Sequence, residues 1–136
     1  MAGSDIVALD ATGRPRLEGL SFAETVKALR EDGTLIMADC GSFEDAQRAV
    51  DAGVDIVSTT LAGYTGDRVK TDGPDLELLR EVVAAFPDVP VICEGRVHTP
   101  EQAAAAIETG AFAVIVGTAI THPTSITTWF KAAVEG

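Results

Sequence analysis

Apolar residues in this chain gather in five short unbroken runs, each followed by a stretch with helical spacing. The runs are Ile6-Val7-Ala8-Leu9, Leu35-Ile36-Met37-Ala38, Asp55-Ile56-Val57-Ser58, Val89 to Cys93 and Ala113-Val114-Ile115-Val116. Runs of this kind, without polar alternation, predict strands buried on both faces of a parallel sheet. Between them, Phe22, Val26 and Leu29 share one helical stripe, as do Phe43, Ala46 and Val50, and again Leu79, Val82 and Phe86. Helix starts are marked as well. Ser21 with Glu24 and Thr99 with Gln102 spell capping boxes, Pro100 suits the first helical position, and Ser42 and Asp75 are good caps. Thr121-His122-Pro123 opens a last helix, with Ile126, Phe130 and Ala133 expected to face inward. The order strand–helix, five times over, predicts parallel strands joined by right-handed crossovers. The longest connection, Leu61 to Pro74, is rich in glycine and predicts a loop.

Every apolar run stops at a polar or small residue. Asp10, Asp39, Thr59 and Thr60, Glu94 with Arg96, and Gly117 with Thr118 occupy the five strand ends. In a parallel βα array all C-terminal strand ends lie on one side, so residues scattered in sequence become neighbours and form the expected ligand face. Val91-Ile92-Cys93-Glu94-Gly95-Arg96 is the most informative of them, because it delivers a carboxylate, a glycine and an arginine just before a helix start. Glu94 is the candidate for proton transfer. Gly95, Gly117 and Thr118 are small residues at the last two strand ends, where backbone N–H groups can approach an anion closely. His98 and His122 read as solvated loop residues, and Cys93 points away from Glu94 if the strand alternates regularly.

Composition narrows the partners. The 136 residues make one domain, and 21 Asp and Glu against 10 Lys and Arg give a net charge of −11. Such a surface repels nucleic acid and anionic lipid, while a small anionic substrate needs only a local site. No apolar stretch is long enough to span a membrane, and the N-terminal residues lack the pattern of a signal peptide. Cys40 and Cys93 are expected to be reduced and buried, as in a cytoplasmic protein, and their spacing suggests no metal site. A weak internal repeat, Gly3-Ser4-Asp5-Ile6-Val7 against Gly53-Val54-Asp55-Ile56-Val57, recurs every second βα unit, as alternate strands of a barrel would.

Taken together, Leu9-Asp10-Ala11-Thr12, Met37-Ala38-Asp39, Thr59-Thr60-Leu61-Ala62-Gly63-Tyr64-Thr65, Glu94-Gly95-Arg96-Val97-His98-Thr99-Pro100 and Val116-Gly117-Thr118-Ala119-Ile120-Thr121 resemble the N-acetylmannosamine-6-phosphate 2-epimerase family. The blocks fall in that family's order across the whole chain. The resemblance implies a (β/α)8 barrel that interconverts N-acetylmannosamine 6-phosphate and N-acetylglucosamine 6-phosphate in amino-sugar and sialic acid catabolism, with no metal or organic cofactor. It also implies removal of the C2 proton of the opened sugar and reprotonation on the other face. By the same resemblance Glu94 is the acid/base carboxylate, Arg96 and Asp39 contact substrate, and Gly95, Gly117 and Thr118 cradle the phosphate. Thr60 and Asp10 join them as candidate substrate contacts.

A full barrel has eight strands and typically about 200 residues or more, and this chain supplies five strands. Aligned on the motifs, it starts at the family's fourth strand, without the first three βα units and the lysine that partners the glutamate. The expected architecture is therefore a parallel (βα)5 array, a partial TIM barrel, with a flavodoxin-like five-strand sheet as the alternative. Its open edge is expected to associate with a second copy. Lys27, Lys70 and Lys131 are poor substitutes for the missing base, so the isolated chain is expected to be inactive. The functional alternatives are a non-catalytic sugar-phosphate binding module and another isomerase or lyase on the same scaffold.

Overall fold

The computed structural model describes residues 3–16 and 19–136. Five strands alternate with helices: β1 Ile6–Asp10, α1 Phe22–Glu31, β2 Leu35–Asp39, α2 Phe43–Ala52, β3 Ile56–Ser58, α3 Leu76–Ala85, β4 Val91–Glu94, α4 Pro100–Glu108 and β5 Ala113–Ile115. A single-turn helix, α5 Thr118–Thr121, and a longer one, α6 Pro123–Glu135, complete the chain. The strands are all parallel and lie in the order β1-β2-β3-β4-β5.

That order decides between the two architectures. A flavodoxin-like sheet reverses direction after its first strand and carries helices on both faces. Here every crossover steps the same way, and right-handed connections then place every crossover helix on one face. Accordingly α1 packs on α2, α2 on α3 and α3 on α4. The array is a partial TIM barrel.

Its core lies between the sheet and this helix layer. Ile36, Ala38, Val57, Val91 and Cys93 point outward from the strands onto Val26, Ala46, Ala49, Leu78, Leu79, Val82 and Ala106, all buried. The predicted caps hold these helices in place. Ser21 and Glu24 bond reciprocally, as do Thr99 and Gln102, while Ser42 and Asp75 accept from the amides of Asp45 and Leu78.

Three expectations change. The strands are buried on one face, not two: the inward-facing residues Ile6 and Leu35 are 46% and 47% exposed, because the concave side has no covering layer among the described residues. The fourth strand starts at Val91 instead of Val89, since the Val89 amide turns back to the carbonyl of Phe86 and Pro90 has no N–H to give. The last helix is not buried. Phe130 is 72% exposed, and Trp129 meets the ring of His98 at 4.7 Å.

Candidate functional site

Strand register brings the polar ends together. Asp10 pairs with Asp39, Asp39 with Ser58, Ser58 with Ile92, and Glu94 with Ile115. Because side chains alternate, Asp39, Ser58, Thr60 and Glu94 all project on the concave side at the C-terminal rim. Thr59, which points the other way, fixes the backbone beneath them: its hydroxyl donates to the carbonyl of Glu94 (3.0 Å) and accepts from the Glu94 amide (3.1 Å).

The four rim side chains form one hydrogen-bonded cluster. Thr60 Oγ1 lies 2.8 Å from Asp39 Oδ1, 2.9 Å from Glu94 Oε2 and 2.7 Å from Ser58 Oγ, and Ser58 Oγ is 3.2 Å from Glu94 Oε2. Two hydroxyls supply two protons for four contacts, so the cluster can accommodate a further proton on a carboxyl group. Burial pushes the Asp39 carboxyl above its ordinary range, and the nearby charges of Glu94 and Asp10 add to the push, although the Thr60 hydrogen bond opposes it. Two carboxylates bridged by one hydroxyl can pass a proton between them without solvent.

A cavity of about 260 Å³ opens beside Glu94, walled by Thr60, Tyr64, Gly95, His98, Gly117 and Thr118. The three small residues expected to cradle phosphate thus line one space with the carboxylate. Gly95 has φ +100°, a backbone conformation that favours glycine, and a Cβ there would stand in tight contact, 3.3 Å from the Thr60 carbonyl oxygen. Gly117 precedes α5, whose first amides have no intrahelical acceptor.

Two expected substrate contacts are otherwise engaged. Burial works to raise the Asp10 pKa, but bonds from the hydroxyl and amide of Thr12 and the Arg14 guanidinium together hold the group below its ordinary value. Asp10 therefore organises its own loop. Arg96 lines the cavity, yet its guanidinium donates to Ala62, Thr71 and Gly73 of the long loop between β3 and α3. Burial raises both thiols, Cys40 and Cys93, leaving them unreactive. A larger cavity, about 810 Å³, lies between α1 and α2 and contains no member of the carboxylate cluster. Among the described residues no group of His, Cys, Asp and Glu is arranged to hold a metal ion.

Sequence reasoning missed Ser58, Tyr64 and His98 as site members. Ser58 was detectable, standing two positions before Thr60 and hence on the same face. His98 and Tyr64 arrive through loop geometry that no periodicity encodes.

A one-sided parallel βα array with a carboxylate cluster and small residues at its C-terminal rim defines a partial TIM-barrel scaffold with its candidate site where barrel enzymes carry theirs. The chain belongs to the NanE family, described as "Putative N-acetylmannosamine-6-phosphate epimerase", whose model matches residues 1–136. A relative from Cutibacterium acnes, carrying the corresponding 2-epimerase name, is 58% identical over 136 residues, covering 98% of this chain and 59% of the relative. One from Corynebacterium glutamicum strain R, of the same name, is 50% identical over 131 residues, covering 96% and 56%. The solved N-acetylmannosamine-6-phosphate 2-epimerase from Clostridium perfringens superposes with a TM-score of 0.92 at 42% identity, covering 96% of this chain and 57% of its own. The chain thus spans a little over half the length of these proteins.

Proposed function

We propose that this chain is a single (βα)5 domain equivalent to the C-terminal part of the family's barrel. In this reading its rim binds an N-acetylhexosamine 6-phosphate and supplies one half of the acid–base machinery for C2 epimerisation. The observation that carries the reading is Glu94, hydrogen-bonded by Ser58 and Thr60 on the wall of the cavity that Gly95, Gly117 and Thr118 share. The phosphate sits against the small residues, which directs C2 of the opened sugar toward Glu94. The carboxylate removes the C2 proton as electrons move into the adjacent carbonyl, and the resulting enolic carbon is reprotonated from the opposite face. Asp39 and Thr60 stand where they can take the proton from Glu94 or orient a sugar hydroxyl.

Reprotonation on the second face needs a second group. Lys70, the lysine on the loop over this rim, holds its ammonium 5.2 Å from the centre of the Tyr64 ring, which favours inactivity of the chain by itself. That same observation supports the second reading, a sugar-phosphate binding module. A cytoplasmic setting fits two buried free cysteines, and among the described residues no helix is long and apolar enough to cross a membrane. Association through the free edge of β1 completes the proposal.

The test is exchange of the C2 proton of N-acetylmannosamine 6-phosphate in deuterated water, followed by NMR. The chain alone is expected to bind the sugar phosphate without exchange above buffer. Co-expression with the part of the Cutibacterium acnes relative that it does not cover should restore exchange, and Glu94→Gln should abolish it with binding retained. Restored exchange that survives Glu94→Gln removes the assigned role, and restoration failing throughout favours the binding module.

A further inference from the structure

The loop from Leu61 to Pro74 has neither helix nor strand beyond its turns, and it is long for a connection in a βα unit. It is nevertheless held at several points. Gly63, at φ +75°, lies so close to the returning strand of the loop that a Cβ would come within 2.7 Å of Lys70 Cα. Arg68 bonds Asp75 at 2.7 and 3.2 Å where the loop enters α3. Between these points the tip is open, with Val69 87% exposed.

Arg96 closes the neck. Its Nη1 donates to the carbonyl of Ala62 at 2.7 Å on the outgoing arm. On the returning arm its Nε donates to the carbonyl of Gly73 at 3.1 Å and its Nη2 to the Thr71 hydroxyl at 3.0 Å. The guanidinium also stands 5.0 Å from the centre of the Tyr64 ring, a cation–π distance, and Tyr64 walls the cavity beside Glu94. The backbone is shaped for this reach. Arg96 has φ +56°, the only positive value outside glycine among the described residues, directly after Gly95 at +100°. A left-handed pair turns the chain off the end of β4 and swings the side chain onto the loop. Such a conformation costs free energy in a residue with a Cβ, and it persists where surrounding contacts over-determine it.

We propose that Arg96 is a positioning residue, a latch that binds both arms of the 61–74 loop and thereby fixes Tyr64 as a wall of the site. Three of its five N–H donors are committed to loop acceptors, so latching and a full grip on an anion compete for the same guanidinium. The consequence for ligand rests on the sugar-phosphate reading above: the small residues take the phosphate, and Arg96 acts on binding through the loop. The latch itself rests on loop geometry alone.

Limited trypsin digestion of the whole chain tests it, because Arg68 and Lys70 stand in the loop. Cleavage of a held loop follows the population of its open form. Arg96→Gln is expected to speed the first cut after Lys70 about tenfold or more, since charge-assisted bonds to both arms are lost. Arg96→Lys should give partial protection, and the exposed Thr71→Val, which removes one acceptor, a smaller acceleration than Arg96→Gln. In the wild type the ring signals of Tyr64, the only tyrosine, should show NMR contacts to the Arg96 side chain, and their absence overturns the latch. If Arg96→Gln fails to fold by circular dichroism, Thr71→Val and the wild-type Tyr64 contacts decide. Unchanged cleavage in folded Arg96→Gln, or in Thr71→Val where that variant decides, overturns the latch. N-acetylmannosamine 6-phosphate separates the two proposals. Faster cleavage with no sugar-phosphate binding by the wild type keeps the latch and removes the sugar reading. Unchanged cleavage with binding lost in Arg96→Gln makes Arg96 a direct ligand instead.

Discussion

Asp75→Ala is the sharpest probe of how the site's long loop is joined to the core. Asp75 is 5% exposed and does two jobs at once. Its carboxylate caps α3 by accepting from the Leu78 amide at 2.9 Å, and it receives two bonds from Arg68 at 2.7 and 3.2 Å. Losing the cap costs about 1 kcal/mol. Losing two charge-assisted bonds costs about 1.5–3 kcal/mol, reduced here because Arg68 is partly exposed and also reaches Glu77 at 3.2 Å and Glu81 at 3.7 Å. The sum is about 2–4 kcal/mol, which at a urea m-value of about 2 kcal/mol/M lowers the midpoint by roughly 1–2 M. The pH dependence checks the cause. Burial works to raise the Asp75 pKa, but the bonds from Arg68 and Leu78 and the Arg68 charge outweigh it, so the native group sits below its ordinary 3.8. Its stabilisation is therefore complete above the ordinary carboxylate range and is lost as pH falls through the lowered native value. The deficit of Asp75→Ala should shrink on the acid side. A urea midpoint within about 0.3 M of wild type at neutral pH would refute the argument.

Asp39 carries the opposite sign. Its native pKa is raised, chiefly by burial, so stability falls as pH rises from the ordinary 3.8 through the raised value and stays lower above it. Asp39→Asn, which can still accept from Thr60, should melt at a higher temperature than wild type at pH 7, with the difference closing below about pH 3.8. The proposed association makes light scattering decisive. A mass that rises with concentration, and a Lys placed at Ile6 on the concave side of β1 that lowers it, are expected; a monodisperse monomer at all concentrations overturns the edge pairing.

The fold was legible because each strand is an apolar run and each helix start carries its own cap. Ser21, Ser42, Asp75 and Thr99 work in the structure as their residue types predict. The burial pattern was less legible. A run such as Leu35-Ile36-Met37-Ala38 looks equally apolar whether its second face meets a helix or the inside of a barrel, and only strand order reveals which. The site divided the same way. Asp39, Thr60 and Glu94 could be placed together, because strand ends in a parallel array are neighbours. The commitments of Asp10 and Arg96 could not, since they depend on where loops fold back, and a long glycine-containing loop has no period to read.

The two faces of the sheet separate stability from chemistry. The buried apolar residues of the strands point outward, where Ile36, Ala38, Val57, Val91 and Cys93 meet the helices. The proposed chemistry points inward: Asp39, Thr60 and Glu94 stand on the face away from the helix layer. Strand alternation makes this division unavoidable, because Cys93 and Glu94 are adjacent in sequence yet must face opposite layers. The carboxylate is consequently held by hydrogen bonds from a neighbouring strand, with Thr59 gripping its backbone and Ser58 and Thr60 its side chain. A carboxylate fixed by its neighbouring strand keeps its position without support from the concave side. In the proposed reading, the hydrogen bonds from Ser58 and Thr60 therefore set the geometry of the Glu94 carboxylate independently of any contact on the concave side.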